Sequence, residues 1–391
     1  MMVGWRRSDD DGDGELFDAA RDGDAEALKK IDMSNVNARN AKDETLLHVA
    51  TKYGQTKFVH RLLEMGADIF GQCSYGDTAL HLACWNGDLK TVSVLLNRNP
   101  HIDCVNSDGA TPLAVALRNN YDDNIVELLL EKGASVNVVS AKSNLLCEAV
   151  RSGNASNVDK LCRKGADPDL PTRKGIRPLA LAARTASEDC IRALLQHGAD
   201  VNRSGVNGLT ALHEACMHAG QSCIAMVLLE AGADPTARTW SMETPLFFAA
   251  SSGNTDTCSA LLGRGASLSE TRWDKKGPLW IATQHGHVDT VRLLLSQNGS
   301  HDAVRGNGTV PSPLHVACLE GTARHAQIAK EMIHYYNGPL RELLPFAHGP
   351  VADVLKSAQR AQTKRSLLLV THRCAYYFPG YIAKTIWGFI M

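Results

Sequence analysis

The chain has almost no net charge: 41 Lys and Arg stand against 42 Asp and Glu, a formal −1 over 391 residues. No overall field draws it to nucleic acid, and none is expected as a partner. Eleven cysteines (73, 84, 104, 147, 162, 190, 216, 223, 258, 318 and 374) are scattered without one C-x-x-C pair. That spacing argues against a zinc ribbon or a disulfide framework and for reduced thiols used as small apolar fillers. The opening "MMVGWRRSDDDGDGE" has no apolar stretch behind its arginines, so it does not read as a secretory leader. The N-x-S/T sequons at Asn154, Asn202, Asn298 and Asn307 therefore carry little weight. The expected compartment is the cytosol or the nucleus.

Signatures of common chemistry are missing too. No G-x-x-x-x-G-K-[ST], G-x-S-x-G or H-E-x-x-H occurs, so nothing supports phosphate-loop, hydrolase or zinc-protease activity. Asp9, Asp11, Asp13 and Gly14 imitate a calcium loop, but Ala20 stands where the bidentate glutamate is needed. Residues 1–14 are expected to be a disordered acidic leader. His285 and His287, two apart across a helix turn, are expected to face different ways and to hold no metal. No catalytic residue, cofactor site or metal site is assigned, and no enzyme is expected.

What the sequence does contain is a repeat. Leucine recurs at Leu47, Leu80, Leu113, Leu146, Leu179, Leu212, Leu246, Leu279 and Leu314, with Phe17 opening the series. Three residues after each stands alanine: Ala20, Ala50, Ala83, Ala116, Ala149, Ala182, Ala215, Ala249, Ala282 and Ala317. A large and a small apolar residue three apart share one helix face, and the small one lets a neighbouring helix come close. A cap former usually stands two before the leucine (Thr45, Thr78, Thr111, Asn144, Thr210, Thr244, Ser312), often followed by proline. A glycine such as Gly54, Gly87 or Gly153 ends this short helix. A second apolar stripe follows, closed by a glycine suited to a left-handed cap, such as Gly66, Gly133 or Gly165. The unit is helix, tight turn, helix, extended loop. One pair cannot bury its apolar face alone, so the units must stack.

The tenfold recurrence of "GDTALHLACWNGDLKTVSVLL" and "GADVNRSGVNGLTALHEA" resembles ankyrin repeats, whose hallmark is T-P-L-H-x-A with a downstream G-A-D. The resemblance implies an all-α solenoid of stacked helix pairs with connecting β-hairpin-like loops, over residues 15–338. Residues 15–40 form an atypical N-terminal cap and nine full units follow. It also implies that His48, His81, His213 and His315 brace the cap threonine and the adjacent loop. The same column accepts Asp18, Ala114, Cys147, Ala180, Phe247 and Trp280, which a catalytic role would not allow. The fifth unit (Lys142, Asn144), the sixth (Arg177) and the third ("RNPHID") depart from the pattern, so less regular loops are expected there.

The resemblance places partner binding on a concave face made by loop tips and the outer positions of each first helix. Projected here, the candidates are Lys52, Tyr53, Ser74, Tyr75, Asp77, Trp85 and Asn86, then Arg118, Lys142, Arg151, Arg173, Lys174 and Arg184, then Trp240, Met242 and Trp273. An aromatic end, a basic middle and a second aromatic end would suit other proteins, including acidic or phosphorylated segments. The competing reading is of solvated charges, with tryptophans packed under neighbouring loops.

Residues 339–391 leave the pattern as a helical, apolar and basic extension. After Asp353 there is no acidic residue, and aromatic and apolar residues interleave with Lys356, Arg360, Lys364, Arg365, Arg373 and Lys384. Residues 366–391 either fold back to cover the last repeat or make peripheral contact with an anionic membrane. The expected function is that of a protein-binding scaffold or adaptor. The alternative is a ubiquitin-ligase substrate receptor of the ankyrin plus SOCS-box type, with "PLRELLPFAHG" only faintly similar to such a box.

Overall fold

Each cap former in the repeat starts a helix. Thr45, Thr78 and Thr111 accept the N–H of the residue three ahead, and Asn144 does the same for Cys147, filling one of the orphan donors of a helix start. The computed structural model describes residues 14–121, 123–140, 143–218, 220, 222–297, 311–336 and 340–377. It contains helices and no strand among them. The chain divides into two compact units, the first ending at Val206 and the second beginning at Asn207.

In the first unit, α1 (Gly14–Asp22) is followed by a single 3-10 turn, and then by helix pairs. These are α2 (Leu46–Lys52) with α3 (Thr56–Glu64), α4 (Ala79–Asn86) with α5 (Leu89–Leu96), and α6 (Pro112–Asn119) with α7 (Asp123–Glu131). Next come α8 (Leu145–Arg151) with α9 (Ala155–Arg163) and α10 (Pro178–Arg184) with α11 (Glu188–Gln196). The first helices stack in order from α1 to α10 and the second helices from α3 to α11. Ala50, Ala83, Ala149 and Ala182 are fully buried between them. Both residue types of the sequence pattern thus lie on the packing face.

The second unit repeats the plan. It holds α12 (Ala211–Cys216) with α13 (Ser222–Glu230), α14 (Pro245–Ser252) with α15 (Thr255–Gly263), α16 (Pro278–Gln284) with α17 (Val288–Leu295), and α18 (Pro313–Glu320) with α19 (Ala323–Ile333). Two 3-10 turns, at Leu340–Glu342 and Leu344–Phe346, lead into the long helix α20 (Gly349–Tyr377). The "LRELLPF" stretch thus supplies these two turns. Leu340, Leu343, Val351 and Leu355 are buried, and α20 packs on α19. The start of the extension therefore covers the last helix pair. Of 366–391, residues 378–391 and all side chains lie outside the description, as does the leader at 1–13.

The loops are hairpin-like. Cys73 and Asp77 are joined by a bond from the Cys73 N–H to the Asp77 carbonyl (3.0 Å), and Gly76 closes the turn onto the Cys73 carbonyl (2.8 Å). Successive tips bond one another, as Ser74 N–H to the Lys42 carbonyl (3.3 Å) and Ser107 N–H to the Tyr75 carbonyl (3.0 Å). The turn between the two helices of a pair needs a left-handed residue. Gly87 (φ 70°) and Gly153 (φ 70°) supply it, and Asn120 and Ala186 take it at φ 54° without glycine's freedom.

Candidate functional site

The histidine column is structural, and the geometry shows how. In His81, Nδ1 accepts the Thr78 hydroxyl (2.9 Å) while Nε2 donates to the Ala110 carbonyl, in the loop of the next repeat (3.0 Å). His48 bonds Thr45 (2.7 Å) and the carbonyls of Gly71 and Asp77 (3.1 Å each). His213 bonds Thr210 (2.8 Å) and the Glu243 carbonyl (3.3 Å). One neutral imidazole thereby caps its own helix and ties down the following loop. Burial lowers all three pKa values, that of His213 to about 4.

In three units where the column loses histidine, other side chains make the same tie. Trp280 donates its indole N–H to the Pro311 carbonyl (3.0 Å). In the fifth unit Asn144 does both jobs, capping Cys147 with Oδ1 (2.7 Å) and reaching the Leu170 carbonyl with Nδ2 (2.6 Å). Arg177 gives no side-chain cap, but its guanidinium bonds the Asp169 and Ser204 carbonyls on either side. The irregular loops expected in these units are thus held by substitutes.

On that frame stand Lys52, Trp85, Arg118, Arg151 and Arg184, spaced by 33 residues. Each occupies the last turn of a first helix, α2, α4, α6, α8 and α10, and these helices stack in that order. Lys52 reaches back to Glu44 (3.0 Å), and Arg151 reaches Ser143 (2.7 Å), so the helix ends and the loop arms share a face. Although burial opposes it, hydrogen bonds from Asn40 and Lys52 hold the Glu44 carboxyl below its ordinary pKa.

The basic middle is less basic than its residue list. Glu148 is 4% exposed, and its Oε1 lies 3.3 Å from both Arg118 Nη2 and Arg151 Nη1. With Ser152, these three line a cavity of about 400 Å³. Arg173 and Lys174 sit exposed at a loop tip without an ion pair among the described residues, and Arg184 is exposed at the end of α10. Lys142 lies outside the described residues.

The aromatic candidates are accessible rather than tucked beneath loops. Trp85 is 56% exposed and Tyr53 and Tyr75 are also exposed, while Asp77 accepts from the Asn106 amide (2.8 Å). Ser74 is exposed, and Asn86 bonds the Thr51 and Lys52 carbonyls. In the second unit Trp240 (77%) and Trp273 (69%) occupy successive loop tips, where Trp273 N–H meets the Ser241 carbonyl (3.4 Å). Met242 closes its turn in the left-handed region at φ 64°.

Family models agree with this geometry. A model of ankyrin repeats in three copies matches residues 16–106, 146–239 and 241–307, and a single-repeat model matches 108–141. The chain belongs to the ankyrin-repeat family. Among curated proteins it is 32% identical over 165 residues to the nuclear factor NF-kappa-B p105 subunit of Gallus gallus, covering 40% of this chain and 17% of that protein. It is 35% identical over 151 residues to the neurogenic locus notch homolog protein 1 of Homo sapiens (37% and 6%). To the ankyrin repeat protein nuc-2 of Neurospora crassa it is 31% identical over 175 residues (42% and 16%). The chain thus spans less than a fifth of these relatives. A crystal structure of the human ASB11 ankyrin repeat domain is similar at a TM-score of 0.50 and 28% identity, covering 56% of this chain and 98% of that one. Ankyrin repeats make this a protein-interaction fold.

Within the ankyrin array, one expectation about histidines fails. His285 Nδ1 and His287 Nε2 do not diverge but meet at one acceptor, the Ser251 carbonyl, at 2.8 and 3.0 Å. The turn after α16 curls back, so residues two apart can aim at one atom. No group of three or more His, Cys, Asp and Glu that could hold a metal occurs among the described residues. Nor, among them, is any helix long and apolar enough to cross a membrane. The ten described cysteines are unbonded, and burial pushes the Cys147 thiol up to about 12.

The residue that sequence reasoning missed is Glu148. Its signal was present: it follows the histidine slot where Val49, Leu82, Val115 and Leu181 stand in neighbouring ankyrin repeats, Glu214 being the other carboxylate in that column. A carboxylate in an apolar column marks a buried charge needing cations.

Proposed function

We propose that this ankyrin array is a scaffold or adaptor that captures an acidic or phosphorylated segment of a partner protein along the loop side of its first unit. The carrying observation is the aligned column of Lys52, Trp85, Arg118, Arg151 and Arg184, one side chain per repeat on stacked helices. Because the stacked helices are held by packing and by the loop ties of His48, His81, Asn144 and Arg177, a partner meets a preformed row of side chains and little ordering entropy is lost. Arginine suits oxygen-bearing partners through its planar fork, and Trp85 offers a broad apolar anchor beside it. The near-neutral net charge favours a protein partner over nucleic acid. Unbonded cysteines suit a reducing compartment, the cytosol or nucleus.

The test is affinity capture from cell extract with the unaltered chain and with Arg151→Glu/Arg184→Glu. The variant, its fold checked by its thermal transition because Arg151 pairs with the buried Glu148, should lose the principal partner, and rising salt should weaken capture by the unaltered chain. Capture that ignores both the charge reversal and salt rules this function out.

A further inference from the structure

The acidic partner can be specified further from the cavity at the centre of the column, and this step rests on the reading just given. Arg118 and Arg151 do not grip Glu148 as forks. Each approaches the same oxygen, Oε1, at 3.3 Å, and the second close bond of Arg151 goes to Ser143 Oγ (2.7 Å). Most N–H donors of both guanidiniums are therefore left without a protein acceptor among the described residues. They border a cavity of about 400 Å³ whose other lining residues are Glu148 and Ser152. That is room for an acidic side chain, with donors waiting for it.

The charge of this cavity selects among oxyanions. Two guanidiniums and one carboxylate leave a single net positive charge. One incoming carboxylate cancels it. A phosphate monoester carries about −1.5 to −2 near neutral pH, and the excess would face the carboxylate of Glu148, which is 4% exposed and only weakly screened by solvent. Arg184 belongs to the next repeat and does not line the cavity. We propose that the Arg118–Glu148–Arg151 cavity takes the carboxylate of a glutamate or aspartate within an extended partner segment, and that Glu148 is the residue that discriminates against phosphate.

Trp85 adds a spacing. It stands one repeat before Arg118, and the cavity lies about one and a half repeats along the column. Packed helices are roughly 8–10 Å apart and an extended chain advances about 3.3 Å per residue. A segment lying along the column therefore places a large apolar residue over Trp85 and its acidic residue about four positions away.

The experiment measures fluorescence anisotropy of the full chain with labelled synthetic peptides. Each carries leucine and, about four residues away, glutamate, phosphoserine or glutamine, with both chain orders made. The glutamate peptide should bind about tenfold more tightly than the glutamine peptide, as one charge-assisted contact allows, and more tightly than the phosphoserine peptide. Glu148→Gln, whose fold is checked by its thermal transition, should strengthen phosphoserine binding by about tenfold and reverse the order. The ranking with the unaltered chain needs no variant to be informative. Phosphoserine preferred by the unaltered chain overturns this inference while leaving an acidic partner in place. Equal binding of glutamate and glutamine, or an order unchanged in Glu148→Gln, also overturns it. The broader reading falls separately, when Arg151→Glu/Arg184→Glu still captures the cellular partner.

Discussion

His81 Nε2 lies 3.0 Å from the carbonyl oxygen of Ala110, a residue 29 positions ahead in the loop of the following repeat. With the Thr78 hydroxyl on its other nitrogen, the ring joins two repeats through a tie fully buried from water. His81→Ala leaves the Ala110 carbonyl and the Thr78 hydroxyl without that partner and should cost about 2–3 kcal/mol. Urea unfolding followed by circular dichroism reads this as a lower midpoint. A midpoint equal to that of the unaltered chain would show that the tie contributes nothing.

The same ties make stability depend on pH. Burial lowers the pKa of His48, His81 and His213, the last to about 4, from the ordinary 6.5. Between those values the unfolded chain binds protons that the folded chain refuses. The stabilisation is therefore complete above pH 6.5 and is lost as pH falls towards 4. His213 alone should account for about 3 kcal/mol of that loss. The thermal midpoint should drop steadily from about pH 7 to about pH 4; a level or rising profile would contradict the neutral-ring assignment.

Ala149 and Ala182 are fully buried where α8 and α10 stack against their neighbours. Replacing either by leucine adds volume that close-packed helices can accept only by moving apart, at a cost of about 1–3 kcal/mol each. Differential scanning calorimetry should show lower midpoints for both variants. Unchanged melting would mean that the packing face is wrongly assigned.

Ala186 holds a left-handed conformation, φ 54°, in a slot that glycine fills in the second, third and fifth units. An alanine strains there by about 1–2 kcal/mol, partly offset by glycine's larger loss of freedom on folding. Ala186→Gly should therefore raise stability by roughly 0.5–1 kcal/mol. Chemical denaturation decides it, and a destabilised variant would count against the strain.

Val351 and Leu355 carry the start of the extension onto the last repeat, both fully buried. Val351→Asp/Leu355→Asp would place charges against the apolar surface around α19 and should cost several kcal/mol, of order 3 or more. Limited proteolysis should then cut first within residues 340–377. A cleavage pattern matching the unaltered chain would show that this cover is dispensable.

How much of this was written in the sequence depends on the range of the interaction. The leucine and alanine columns, cap residues and turn glycines act within one helix or one turn, so period alone determined the helix pairs, their stacking face and the capping role of Thr78, while the bracing role of His81 came from the resemblance to ankyrin repeats. Ties between repeats were partly legible, because the histidine that recurs at one place in the unit, as His48, His81 and His213, has a fixed target in the next loop. What only the tertiary structure decided is which side chains substitute and which charges meet. Asn144, Trp280 and Arg177 look like departures from the pattern until stacking brings the carbonyls of Leu170, Pro311 and Ser204 within reach. Arg118 and Arg151 read as two members of a positive stripe, yet Glu148 lies against both, 30 residues from one and three from the other. Sequence spacing places each charge in its column. The field along the face depends on distances between columns of successive repeats, which exist only once the helices pack.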